Sequence, residues 1–261
     1  MRGSNSFFLR AALGLFCALP LFAETPSLKI PRVHRAPVME DFLSNRPREA
    51  EAVIKDFRQR DPHDGDPVTR KTTAYLSYDE KNLYVAFVCE AERATLRARL
   101  SKRDQLFGDE TVNIALDTFH DHRRAYLFFA NPLGVQLDGI TTEGQENDDY
   151  SFDTVWTSQG RITKDGYVVL MAIPFRSLRF SNDPAATWGI ALTRYIPDQR
   201  EFATYPYVTN RIEGYVTQFA SLEGIRDVAQ NHNLQLNPYL FLNRERFLET
   251  GTAPPSFHNE A

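Results

Sequence analysis

Residues 83–89, LYVAFVC, offer no polar face. Such a run belongs where both sides are covered, and its aromatic and β-branched side chains suit a central strand. Residues 111–117, TVNIALD, alternate instead: Val112, Ile114 and Leu116 share one side, Asn113, Ala115 and Asp117 the other. That is a half-buried strand of period two. Residues 125–130, 167–173 and 188–196 read as further strands, separated by turn clusters such as NPLG at 131–134 and KDG at 164–166. Only 91–100 and 175–178 read as helical between them. Upstream, 48–57 reads as a short helix with Ala50, Val53, Ile54 and Phe57 on one side, followed by the turn DPHDGD at 61–66. Nineteen Phe and eleven Tyr against three Met push the same way, towards strands. Many short strands without βα alternation predict an all-β chain, an antiparallel β-sandwich of jelly-roll type.

The net charge is -4 and the pI near 5.9, so the chain carries no basic footprint for nucleic acid. At the N-terminus Arg2 and Arg10 precede an apolar run over 11–22, closed by Ala23 before the acid Glu24. This is the pattern of a secretory signal peptide over residues 1–23, cleaved after Ala23. The run is too short to span a bilayer, which takes about 20 apolar residues. Cleavage would remove Cys17 and leave Cys89 as a small buried hydrophobe. The expected compartment is the periplasm or the cell outer membrane.

Near the other end, LQLNPYLFLN at 234–243 puts Leu234, Leu236, Pro238, Leu240 and Leu242 on one face. A ten-residue strand with one wholly apolar face suits a transmembrane barrel, and equally an edge strand of the sandwich. In the barrel reading, 233–261 begins a β-barrel that needs further strands to close.

Several segments in order resemble the family nine carbohydrate-binding modules: DEKNLYVAF at 79–87, Arg103 with Asp104, DETVNIALDTF at 109–119, NPLG at 131–134, Trp156, GYVVLMAIPF at 166–175 and WGIALTR at 188–194. They are most similar to the branch at the N-terminus of bacterial outer-membrane barrel proteins. The resemblance covers about residues 28–225. It implies a DOMON-like sandwich, glycan binding without catalysis, a link to carbohydrate catabolism and, often, structural calcium. The family's pair of stacking tryptophans has no evident counterpart here.

Sugar recognition needs a flat aromatic face for the apolar side of a pyranose and planar polar groups for its hydroxyls. The carbohydrate-binding candidates are Trp156, Asn131, Arg194 and Glu110, and each has a structural alternative. A tryptophan that begins a strand, as Trp156 and Trp188 do, is an ordinary core residue. Asn131 stands where a turn former is expected. Arg194 shares a strand face with Trp188, Ile190 and Leu192, where an arginine requires a partner. Glu143, Glu146, Asp148 and Asp149 supply the hard oxygens calcium prefers, without an EF-hand pattern. Asp117, His120, Asp121 and His122 read as a zinc set or as a charged hairpin. No phosphate loop, serine elbow or HExxH is present, and no pair of carboxylates stands out for glycoside hydrolysis. Two rivals to glycan binding stay open: a structural plug or assembly domain of an outer-membrane barrel, and a haem-binding DOMON-type domain, whose axial Met or His is hard to find here because Met171 lies in a core-like strand and no histidine lies in a clear strand.

Overall fold

A computed structural model describes residues 26–44, 51–106, 108–181, 183 and 187–228, and the backbone of 245–249 and 256–260. The expected leader at 1–23 and the alternating run at 234–243 lie outside the described residues. In chain order the strands are β1 (Ser27–Lys29), β2 (Ala52–Ile54), β3 (Arg58–Asp61), β4 (Thr72–Tyr78), β5 (Asn82–Glu90), β6 (Thr111–Asp117), β7 (Arg124–Ala130) and β8 (Gln136–Thr142). Then come β9 (Thr157–Ile162), β10 (Gly166–Pro174), β11 (Trp188–Ile196), β12 (Glu201–Tyr205), β13 (Ala220–Glu223), β14 (Glu245–Glu249) and β15 (Ser256–Glu260). One helix, α1 (Met39–Leu43), lies between β1 and β2.

Strands β1–β13 form two sheets, as the alternation predicts. The larger runs β1-β13-β11-β6-β7-β8, with β12 pairing both β11 and β3; the smaller runs β2-β4-β5-β10-β9. All ladders are antiparallel except β1 on β13. β14 and β15 make a separate antiparallel pair. Alternate residues of each sheet meet between them: Leu83, Val85 and Phe87 of β5 and Val169 and Met171 of β10 share one core with Ile114 and Leu116 of β6 and Phe128 of β7. The other side of β5 is covered too, because Met39 and Phe42 of α1 pack with Tyr75, Ala86 and Val168. β5 is therefore central and closed on both faces, which is why its sequence has no polar side.

Two helix expectations fail. Of the expected helix at 48–57, the described residues 51–57 give β2 instead, with Ile54 and Phe57 in the core and Val53 45% exposed. Apolar spacing of three and four fits either period over so few residues, and β4 offers a free ladder edge that Ala52–Ile54 completes. Residues 91–100 make only one turn, closed by the Thr95 and Leu96 amides donating to the Glu92 carbonyl. The chain then runs irregularly and is fixed by Arg99, which donates to Asp109. Residues 175–178 do coil, as a single 3-10 turn at Phe175–Ser177.

Candidate functional site

The four glycan candidates read from the sequence sit inside the protein, in three separate structural roles. Trp156 is 3% exposed and meets Phe128 edge-on at 5.3 Å, so it presents no ring face to a sugar. Asn131 organises the NPLG turn: its Oδ1 accepts from the Leu133 and Val135 amides, and its Nδ2 donates to the Arg99 carbonyl and to Asp109. Arg194, 0% exposed, donates through Nε and Nη2 to Glu110 Oε1 at 2.9 and 2.6 Å. Its remaining donors reach the Lys71 and Glu90 carbonyls and the Thr72 hydroxyl, binding β11 to the opposite sheet. Arg194 and Glu110 are the two halves of a buried ion pair.

The calcium candidates do not converge. Glu143 accepts from the Tyr215 and Val216 amides and so caps the 3-10 turn at Val216–Gln218. Asp148 accepts from the Tyr150 hydroxyl, Asp149 accepts from the Ser151 amide and hydroxyl, and Glu146 is exposed. The zinc reading fails similarly, because Asp117 caps its own turn, accepting from the Phe119, Asp121 and His122 amides. Among the described residues no group of three or more His, Cys, Asp or Glu is placed to hold a metal. The acids are spent on backbone amides, a use composition alone does not separate from ligation. Met171 is buried in the core between the sheets, as its core-like strand predicts.

A different surface gathers aromatic and planar polar groups. On the larger sheet, Phe129 of β7 faces away from the core and pairs in register with Asn113 of β6, which in turn pairs with Thr193 of β11. The Thr193 hydroxyl donates to Asn113 Oδ1 at 3.4 Å. Part of this outer face is roofed by Val216 and Phe219, which pack on Ala115, Ala125, Leu127 and Ala191. Phe129 and Tyr215, at the margin of that roof, are half-buried.

Tyr150 joins them from the loop after β8. Residue Asp149 bridges Ile140 with both backbone hydrogen bonds, which lays the loop along β8. The contact needs a glycine, because a Cβ on Gly139 would come within 2.8 Å of the Tyr150 ring and 2.9 Å of the Asp149 carbonyl. Tyr150 is 43% exposed and its ring lies 6.4 Å from that of Phe129. Its hydroxyl donates to Asp148 at 3.1 Å. Burial, then the Asp148 charge, push the Tyr150 phenol above its ordinary value, and burial does the same for Tyr215. Both phenols are neutral near pH 7, as an unshifted tyrosine is; the Tyr150 proton is committed to Asp148, which leaves its oxygen as an acceptor. The Arg60 guanidinium lies 5.4 Å over the Tyr215 ring and donates to Asn210. The result is a rim of three rings with a guanidinium, a carboxylate and two phenols, the combination that stacks on a pyranose and hydrogen-bonds its hydroxyls.

Sequence reasoning missed this rim because Tyr150 and Tyr215 stand in loops, where periodicity carries no signal. The adjacent pair Phe128–Phe129 held a usable hint: on a strand one of two neighbouring rings must face outward.

No family model matches the chain, and no curated protein matches it. Solved structures do. A protein from Bacteroides uniformis whose proposed role is carbohydrate binding superposes with a TM-score of 0.53 at 14% identity, covering 76% of this chain and 98% of that one. A family nine carbohydrate-binding module from Caldicellulosiruptor kristjanssonii, in complex with cellotriose, gives 0.46 at 17% identity over 81% of this chain and all of the module. The glucose complex of a family nine module from the same organism gives 0.46 at 15% identity. At such identities the likeness is one of fold: the chain carries the β-sandwich of the Bacteroides uniformis carbohydrate-binding candidate.

Proposed function

We propose that the chain binds neutral glycans without catalysis, at the outer-face rim formed by Tyr150, Phe129, Tyr215, Arg60 and Asp148. The carrying observation is the 43% exposed ring of Tyr150 held against Phe129 and hydrogen-bonded to Asp148. An exposed aromatic fixed by a carboxylate is preorganised for stacking, so little conformational entropy is lost on binding. The opposite charges of Arg60 and Asp148 suit an uncharged ligand. The fold shared with a protein of proposed carbohydrate-binding role and the segmental resemblance to family nine modules support the reading. Together with the signal-like N-terminus they favour an exported protein of the cell envelope; N-terminal sequencing of exported material should begin at Glu24, and retention of residues 1–23 would remove that assignment.

Calorimetric titration of the full chain with cellotriose, xylotriose, mannotriose and laminaritriose tests the binding. At least one should bind, and Tyr150→Ala should weaken it by roughly tenfold or more through loss of the stacking face, with an unchanged melting curve. Absence of binding to all four would favour the structural reading, which the burial of Trp156, Asn131, Arg194 and Glu110 supports. Binding unaffected by Tyr150→Ala would move the site elsewhere.

A further inference from the structure

At one end of the larger sheet, where β6 stops, β7 starts and β8 stops, a cavity of about 680 Å³ opens. Its size lies within the roughly 300–1,000 Å³ of small-molecule sites. Three aromatic residues line it: Phe119, 56% exposed, and the half-buried Tyr126 and Phe152, whose rings are 5.3 Å apart. Arg124 and Arg179, both exposed, line the same space, with Asp121 the only acid among the lining residues.

The backbone here is fixed and the guanidiniums are not consumed in fixing it. Thr118 donates its hydroxyl to the Arg179 carbonyl, and the Arg179 amide donates to the Tyr126 hydroxyl. Among the described residues neither Arg124 nor Arg179 forms an ion pair; Asp149 feels the charge of Arg124 only at longer range. Asp121 itself accepts from the Arg123 amide. An exposed phenylalanine beside two arginines that form no ion pair among the described residues suits a ligand with a flat apolar face and an oxyanion, since the guanidinium fork matches a planar anion.

We propose that this end cavity is a second binding site, distinct from the Tyr150 rim, for an anionic saccharide: a pyranose whose carboxylate or sulfate ester is held by Arg124 and Arg179 while its apolar face lies on Phe119. The chemistry differs from the rim, where guanidinium and carboxylate balance. The two sites therefore separate by ligand charge.

The test titrates the full chain with trigalacturonate and with a sulfated galactan oligosaccharide, the two sources of the oxyanion, and with the methyl ester of trigalacturonate as the uncharged control. In the Tyr150→Ala variant, which lacks the stacking ring of the neutral-glycan rim, either anion should bind and the ester should not, with affinity falling as salt rises. Arg179→Gln and Arg124→Gln should each cost roughly tenfold in affinity, because a charged hydrogen bond is lost. Phe119→Ala should weaken binding as well. Both arginine side chains are exposed, so melting curves should stay unchanged. Tyr150→Ala should leave anion binding intact, which keeps a failure of the rim distinguishable from a failure here. No binding of either anion, or binding that survives both arginine substitutions, overturns the proposal.

Discussion

Arg194→Ala should destabilise the chain by about 3–5 kcal/mol, because it leaves the Glu110 carboxylate buried without its counter-charge. Glu110 is 0% exposed, and the structure gives its Oε2 no partner, so the whole compensation of that carboxylate runs through Oε1 and Arg194. Losing the arginine also removes one donor each from the Lys71 and Glu90 carbonyls, although the Lys71 carbonyl still accepts from the Glu90 amide. A typical domain has only about 5–15 kcal/mol in total, so a variant near the upper loss is close to unfolding at room temperature. The double substitution Arg194→Met with Glu110→Leu should recover most of the loss, since removing both charges removes the desolvation cost with them. Urea denaturation of the wild type, the single and the double variant checks this. A double variant no more stable than Arg194→Ala would mean that the backbone contacts, rather than the pair, hold the site.

Trp156→Ala should cost about 3–5 kcal/mol through the cavity left beside Phe128. The indole Nε1 has no hydrogen-bond partner although it is buried, so Trp156→Phe removes an unpaired donor along with part of the ring and should cost clearly less. Melting curves of the two variants give the order. What folded protein remains should bind glycan as the wild type does, because the ring is 3% exposed and lies on the core side of the larger sheet. Loss of binding with no loss of stability would instead return Trp156 to the glycan face.

The strands that could be read from the sequence were those whose burial leaves a periodic trace. β5 is apolar throughout because α1 covers its second face; β6, expected to be half-buried, is buried on both faces, and its second side reads as small and polar because Val216 and Phe219 roof Ala115 there while Asn113 and Asp117 make internal hydrogen bonds. β2 was misread because three residues are too few to separate the two periods. Arg194 was legible as an arginine on an apolar face that needed a partner, but not its pairing with Glu110, since the two are 84 positions apart and meet only once β11 and β6 align. The acids at 143–149 read as ligands because charge is visible in a sequence and the amides they cap are not. Tyr150 reaches its place through a glycine and a single bridge on β8, a tertiary fact with no pattern of its own.

Ring resonances of the full chain with isotope-labelled tyrosine and phenylalanine, followed while the binding neutral trisaccharide is added, test the central reading most directly. Tyr150, Phe129 and Tyr215 should shift together and saturably, with Phe119, which lines the end cavity, unmoved. Saturable shifts confined to other rings, or no shift with any of the four trisaccharides, would contradict glycan binding at the outer-face rim.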